Sequence, residues 1–216
     1  MFMQKSCLIA SLAGFLYLTP CAFAQKWEVG GGIGASFFGS QQVKNAISTG
    51  DAGFANAVNA SVWLGNNSGR LFGGELRYDY ESTNLKVTST GAQAAFGAET
   101  HAFHYDTLIH FTPRSAPVRP YVSGGAGVKL YRGTGKEASF QPLSTLALLT
   151  KTGQLKPMIS VGAGVKFSIF HSLQLRIEVR DALTAFPKAV IAPAQGAKID
   201  GWIQDLVVLA GLSLTF

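Results

Sequence analysis

The sequence predicts an all-β fold: eight antiparallel strands running up and down and closing into a barrel that crosses a membrane. Three observations carry this. Leu206, Val208, Ala210, Leu212, Leu214 and Phe216 alternate strictly, and side chains two apart share one face of a strand. Eight such segments follow one another, each about eleven to fifteen residues long, where a globular strand usually has five or six. Their connections alternate long and short, the rhythm of up-and-down strands with tight turns at one rim and long loops at the other.

The segments are Lys26 to Phe38, Phe54 to Leu64, Leu71 to Glu81, Glu99 to Thr112, Arg119 to Arg132, Leu155 to Ile169, Leu173 to Phe186 and Trp202 to Phe216. The connections between them run about 15, 6, 17, 6, 22, 3 and 15 residues. In the first strand Trp27, Val29, Gly31, Ile33, Ala35 and Phe37 share a parity. Ten residues at ~3.4 Å each, tilted by about 40°, rise roughly 26 Å, the height of a barrel's apolar band. The second strand fits less well, since Asn56 falls among its apolar positions. The third settles the faces: Glu75, Arg77, Asp79 and Glu81 oppose Phe72, Leu76, Tyr78 and Tyr80. Four charges turned to lipid would cost on the order of several kcal/mol, a large part of a typical folding free energy, so they point inward.

The same rule places His104, Asp106 and His110 inside the fourth strand, and Phe103, Tyr105, Ile109 and Phe111 outside. The fifth and sixth strands carry an internal repeat, Gly125-Ala126-Gly127-Val128-Lys129 and Gly162-Ala163-Gly164-Val165-Lys166, whose lysines join the inner set. In the seventh, Gln174, Arg176, Glu178 and Arg180 face in, and Leu173, Leu175, Ile177 and Val179 face out. The eighth turns Val207 and Leu209 inward.

At the start, Lys5, the apolar stretch Leu8 to Leu18 and Ala22-Phe23-Ala24 spell a secretory signal over residues 1–24, cleaved between Ala24 and Gln25. The barrel domain then spans residues 25–216. Lipidation at Cys21 is disfavoured because Pro20 stands where a small residue is wanted. Cys7 and Cys21 both leave with the signal, so neither a disulfide nor thiolate chemistry is expected. No mature segment approaches the roughly 18 apolar residues of a spanning helix. The net charge of +6 is scattered along the chain without a basic, aromatic-studded stripe, which speaks against nucleic acid as a partner.

With the signal peptide, eight amphipathic strands, the two "GAGVK" strands, the "LQLRIEVRD" segment from Leu173 to Asp181 and the terminal Phe216, the chain resembles the small bacterial outer-membrane β-barrel proteins. These include the transmembrane domain of outer-membrane protein A and the opacity-type surface proteins. The resemblance implies an outer-membrane location, with lipid and lipopolysaccharide around the barrel. It implies an assembly signal in Gly211, Leu212, Leu214 and Phe216, read by the outer-membrane assembly machinery. It does not imply cell-wall tethering, for no peptidoglycan-binding domain is expected after the last strand. The fold hosts structural anchors, adhesins, narrow pores and a few lipid-modifying enzymes and does not choose among them.

An eight-stranded interior is nearly filled by side chains, and ions enclosed there must pair. The candidate site is therefore a lumenal ionic network of Glu28, Glu75, Asp79, Glu81, Asp106 and Glu178 with Arg77, Lys129, Lys166, Arg176 and Arg180, joined by His104. It reads as a plug. A narrow gated pore for ions or small polar solutes is the alternative, since Arg176, Glu178 and Arg180 alternate in sign along one face. A soluble lipocalin-like ligand-binding barrel is a second alternative, which would turn the Val, Ile and Phe parity inward.

No enzyme is expected: His171 and Ser172 are adjacent, so their side chains point apart, while a nucleophile needs its base within hydrogen-bond reach. No metal or cofactor site is expected either. His101 and His104 differ in parity, and His104 and His110 stand roughly 20 Å apart along a strand. An extracellular partner would meet the long loops. In the third of these, Gly133 to Gln154, Leu143, Leu146, Leu148 and Leu149 between Lys136 and Lys151 suggest a short amphipathic helix over the mouth, or a contact with lipid or protein.

Overall fold

The computed structural model describes residues 27–67, 69–136 and 141–216. The expected signal segment, its cleavage point between Ala24 and Gln25, and Lys26 lie outside the described residues. In chain order the strands are β1 (Trp27–Phe38), β2 (Ser40–Lys44), β3 (Thr49–Phe54), β4 (Ala57–Asn66), β5 (Phe72–Ser89), β6 (Ala92–His110), β7 (Val118–Gly133), β8 (Ala147–Leu149), β9 (Gly153–Ser168), β10 (Leu173–Ala185), β11 (Ile191–Pro193), β12 (Lys198–Ile199) and β13 (Trp202–Thr215).

Eight of them, β1, β4, β5, β6, β7, β9, β10 and β13, form a ring in which each pairs antiparallel with the next. The last pairing, β13 with β1, closes it in register from Glu28↔Thr215 to Phe38↔Asp205. Backbone bonds of 3.0 Å in both directions between Trp27 and Phe216 finish the seam at the short-turn rim. Closure leaves the ring of eight strands without a free edge, a requirement for strands in hydrocarbon, where no water satisfies an open backbone.

The outward parity is apolar around the ring, with Ile33, Val58, Phe103, Tyr105, Ile177 and Leu212 all exposed. An exposed belt of this extent is incompatible with the lipocalin-like alternative, which needs those side chains inside.

Two of the expected long loops are not loops. Residues 82–98 continue β5 and β6 as one hairpin, turning at Gly91 with φ of 76°, and residues 40–54 form the hairpin β2–β3. The second strand begins at Ala57, and Phe54 belongs to β3, which pairs with β5. That division explains the misfit at Asn56, which lies in the break between β3 and β4 while Val58 and Val62 keep the outward parity. With 18 residues in β5, the hairpin runs roughly 20 Å past the apolar band.

Along that extension the parity persists and the chemistry inverts. Below Glu81 the inward residues are charged and the outward ones greasy. Above it Leu85, Val87, Ala94 and Phe96 face in, while Ser82, Asn84 and Lys86 face out. The extension is a collar with a polar outer face and its own apolar core, to which Val43, Phe54, Leu146, Leu149, Ile191 and Ile203 contribute. The third loop supplies part of this core as strand β8, paired with β11, and the expected helix is absent from the described residues. Within β8 Ala147 and Leu149 are buried and Leu148 is exposed, a period of two that suits a strand.

Candidate functional site

The inward parity of the ring gathers the charged residues named from the sequence into one buried system. Glu28, Glu75, Arg77, Asp79, Glu81, His104, Asp106, Lys129, Lys166, Arg176, Glu178 and Arg180 are all buried. At the short-turn end Glu28 accepts from Lys166 Nζ at 2.5 Å, Arg176 Nη2 at 3.0 Å, Trp63 Nε1 at 3.2 Å and Asn67 Nδ2 at 3.0 Å. Arg176 then forks onto Glu75, with bonds of 3.0 and 2.6 Å. Arg77 donates to Glu75 from Nε and Nη2 at 3.0 and 2.8 Å, and reaches Glu178 at 2.8 and 3.2 Å. Glu178 also accepts from Arg180 Nε at 3.0 Å and from the Tyr121 hydroxyl.

From Arg180 the chain of pairs passes to Asp106. His104 lies between two carboxylates, 3.0 Å from Asp106 and 2.8 Å from Asp79. A separate knot lies under the collar, where Lys129 joins Glu81, at 2.7 Å, to Asp205. Forked guanidinium–carboxylate pairs combine charge with fixed geometry, which keeps successive layers in register.

Aromatic faces complete the packing. The Arg176 guanidinium carbon stands 4.4 Å from the Trp63 ring centre and that of Arg77 5.2 Å. Room for the indole comes from glycine: a Cβ on Gly30 or on Gly211 would fall 2.5 Å from Trp63. The repeat glycines act alike, for a Cβ at Gly125 would strike Asp106 and one at Gly127 would strike His104. At the top Tyr131 joins the two regions, its ring 5.0 Å from Phe54 and 5.7 Å from Lys129 Nζ.

The fold has known counterparts. No family model and no curated protein matches the sequence. Among solved structures the chain is similar to the outer membrane protein OprG from Pseudomonas aeruginosa, at 11% identity over 89% of this chain and 96% of that one, with a TM-score of 0.59. It is also similar to Neisserial surface protein A, at 11% identity over 88% and 97%, with a TM-score of 0.54. The chain folds as a small outer-membrane β-barrel.

Within this barrel several lumenal residues escape the sequence pattern. Asp205, Arg119, Tyr121 and Trp63 are buried beside the predicted set, so among the described residues seven acids and six bases face the interior, against an expectation of six and five. Asp205 was legible in principle, since it shares the parity of Val207 opposite Leu206 and Val208. Trp63 was not, because an aromatic is equally at home facing lipid. His101 points outward, its Nδ1 2.7 Å from the Tyr78 hydroxyl, while His104 points inward. Gly211 faces the lumen against Trp63; Leu212, Leu214 and Phe216 face outward.

Proposed function

We propose that the protein is an integral barrel of a bacterial outer membrane with a structural or surface-interaction role, its lumen plugged by the ion-pair network and roofed by the collar core. The observation that carries this reading is the run of buried pairs from Glu28 through Arg176, Glu75, Arg77, Glu178 and Arg180 to Asp106, contributed by strands around the ring. A solute path would have to break several of these pairs together, each break exposing an uncompensated buried charge. Lipid and lipopolysaccharide surround the belt. Gly211, Leu212, Leu214 and Phe216 present the closing strand to the assembly machinery, and an extracellular partner meets the collar rim. The reading assigns no catalytic role.

Planar-bilayer recording on refolded protein tests it. The expected result is no unit conductance above bare bilayer for the wild type. Resolved unit steps that Arg176→Ala or Glu178→Ala alters would replace the plug with the narrow gated pore.

A further inference from the structure

Arg119 is the one guanidinium of the lumen whose position is not explained by the network. It projects from β7 into the short-turn end and is 2% exposed. Its Nε is buried without a hydrogen-bond partner, and it forms no ion pair among the described residues. Directly across the ladder stands Lys166, so two like charges face each other on adjacent strands. Glu28 is the acid whose charge reaches Arg119. Glu28 cannot serve it. A carboxylate has about four acceptor positions, and those of Glu28 are taken by Lys166, Arg176, Trp63 and Asn67.

Next to Arg119 on the inner face, with His110 paired to Tyr121 two residues along, lies an unused acceptor. His110 Nδ1 is 3.2 Å from the Leu71 carbonyl, which only accepts, so Nδ1 carries the ring proton of the neutral imidazole. Its Nε2 is then an acceptor, and it is buried without a partner. The Tyr121 ring, 5.6 Å from the His110 ring centre and 5.5 Å from Lys166 Nζ, forms the wall between them.

We propose that Arg119, Lys166 and His110 form a binding site for a phosphate-type oxyanion at the short-turn mouth of the lumen. Such a group offers acceptor oxygens to Arg119 and Lys166 and, as a hydrogen phosphate, an O–H for His110 Nε2. A carboxylate at neutral pH offers the first and not the second. The site stands whether or not the lumen conducts. Free phosphate and a phosphatidylglycerol headgroup both offer oxyanion oxygens together with an O–H, the headgroup's from its glycerol because its phosphodiester carries none, and the test separates them.

Refolded full-length protein is titrated calorimetrically with inorganic phosphate in zwitterionic detergent at constant ionic strength set with chloride, and in nanodiscs with and without phosphatidylglycerol. The expected result is saturable phosphate binding that Arg119→Gln weakens by tenfold or more, roughly what one lost charge-assisted bond gives. His110→Phe weakens it too, and Arg132→Gln, on the outer face of the collar, leaves it unchanged. Should phosphate have no effect in detergent while phosphatidylglycerol raises the thermal midpoint of the wild type and not of His110→Phe, the site stands with the headgroup as its source. Absence of both effects in the wild type overturns the proposal, as does binding indifferent to both site variants. If Arg119→Gln does not refold, the wild-type titration and His110→Phe decide alone.

Discussion

At the scale of single residues the lumen is governed by what happens when one partner is removed. Arg176 holds Glu28 and Glu75 at once and lies fully buried over Trp63. Arg176→Ala takes one cation from each of two buried carboxylates, leaving Glu28 to Lys166 and Glu75 to Arg77, and we expect it to lower stability by about 3–5 kcal/mol in urea unfolding of the refolded protein. Arg132→Ala is expected to cost under about 1 kcal/mol, since its bond to Glu99 is long, at 3.5 Å, and solvated. A loss of similar size in both variants would show that the network does not hold the barrel.

Surface pairs report differently. Lys188 Nζ, in the exposed turn between β10 and β11, donates to Asp200, between β12 and β13, at 2.6 Å, and that bond, with the lysine charge, holds the Asp200 carboxyl below its ordinary range. The attraction is therefore full above the usual aspartate pKa and fades as pH falls through the lowered value. Carboxyl NMR should find the Asp200 midpoint below that of an unpaired aspartate, and Lys188→Gln should return it upward with no change in thermal midpoint.

Elements were legible in proportion to how steadily their chemistry kept one sense. Strands β10 and β13 and the membrane part of β5 stood out because a charge or a large aliphatic side chain recurs on every second position. The upper parts of β5 and β6 give no strand signal in the sequence because the rule that greasy side chains face out reverses above Glu81. A window laid across the reversal averages to no pattern. The break at Ala55 and Asn56 hid a similar change, with Phe54 turned into the collar core and Val58 turned to lipid. The same reversal yields a prediction for the element. Val87→Asp places a carboxylate in the collar core, against a burial cost on the order of several kcal/mol, whereas Asn84→Asp places one in water. Val87→Asp should open the collar to protease while the ring keeps its heat-modifiable gel mobility; Asn84→Asp should change neither. Loss of the ring with the collar would mean that the two parts fold as one unit.

For the whole molecule the inverted collar fixes how far the barrel sits in its membrane. The boundary lies where outward Tyr78 and Tyr80 give way to Ser82, Asn84 and Lys86, since aromatic rings favour the headgroup level and ionised side chains the water above it. Both cysteines, Cys7 and Cys21, precede the predicted cleavage site, so single cysteines introduced into the barrel can be labelled against a clean background. Three positions test one register. Asn84→Cys, outside on the collar, should react quickly with a membrane-impermeant maleimide on intact cells. Tyr105→Cys, outside on the belt, should react far more slowly, because hydrocarbon excludes both the reagent and the thiolate that it requires. Leu85→Cys, one residue from the first site and turned into the collar core, should stay unreacted until the protein is unfolded. Equal rates at 84 and 105 would deny the belt its lipid. Labelling at 84 only after the outer membrane is made permeable would turn the barrel upside down, moving the collar to the periplasm and the Arg119 mouth to the cell surface.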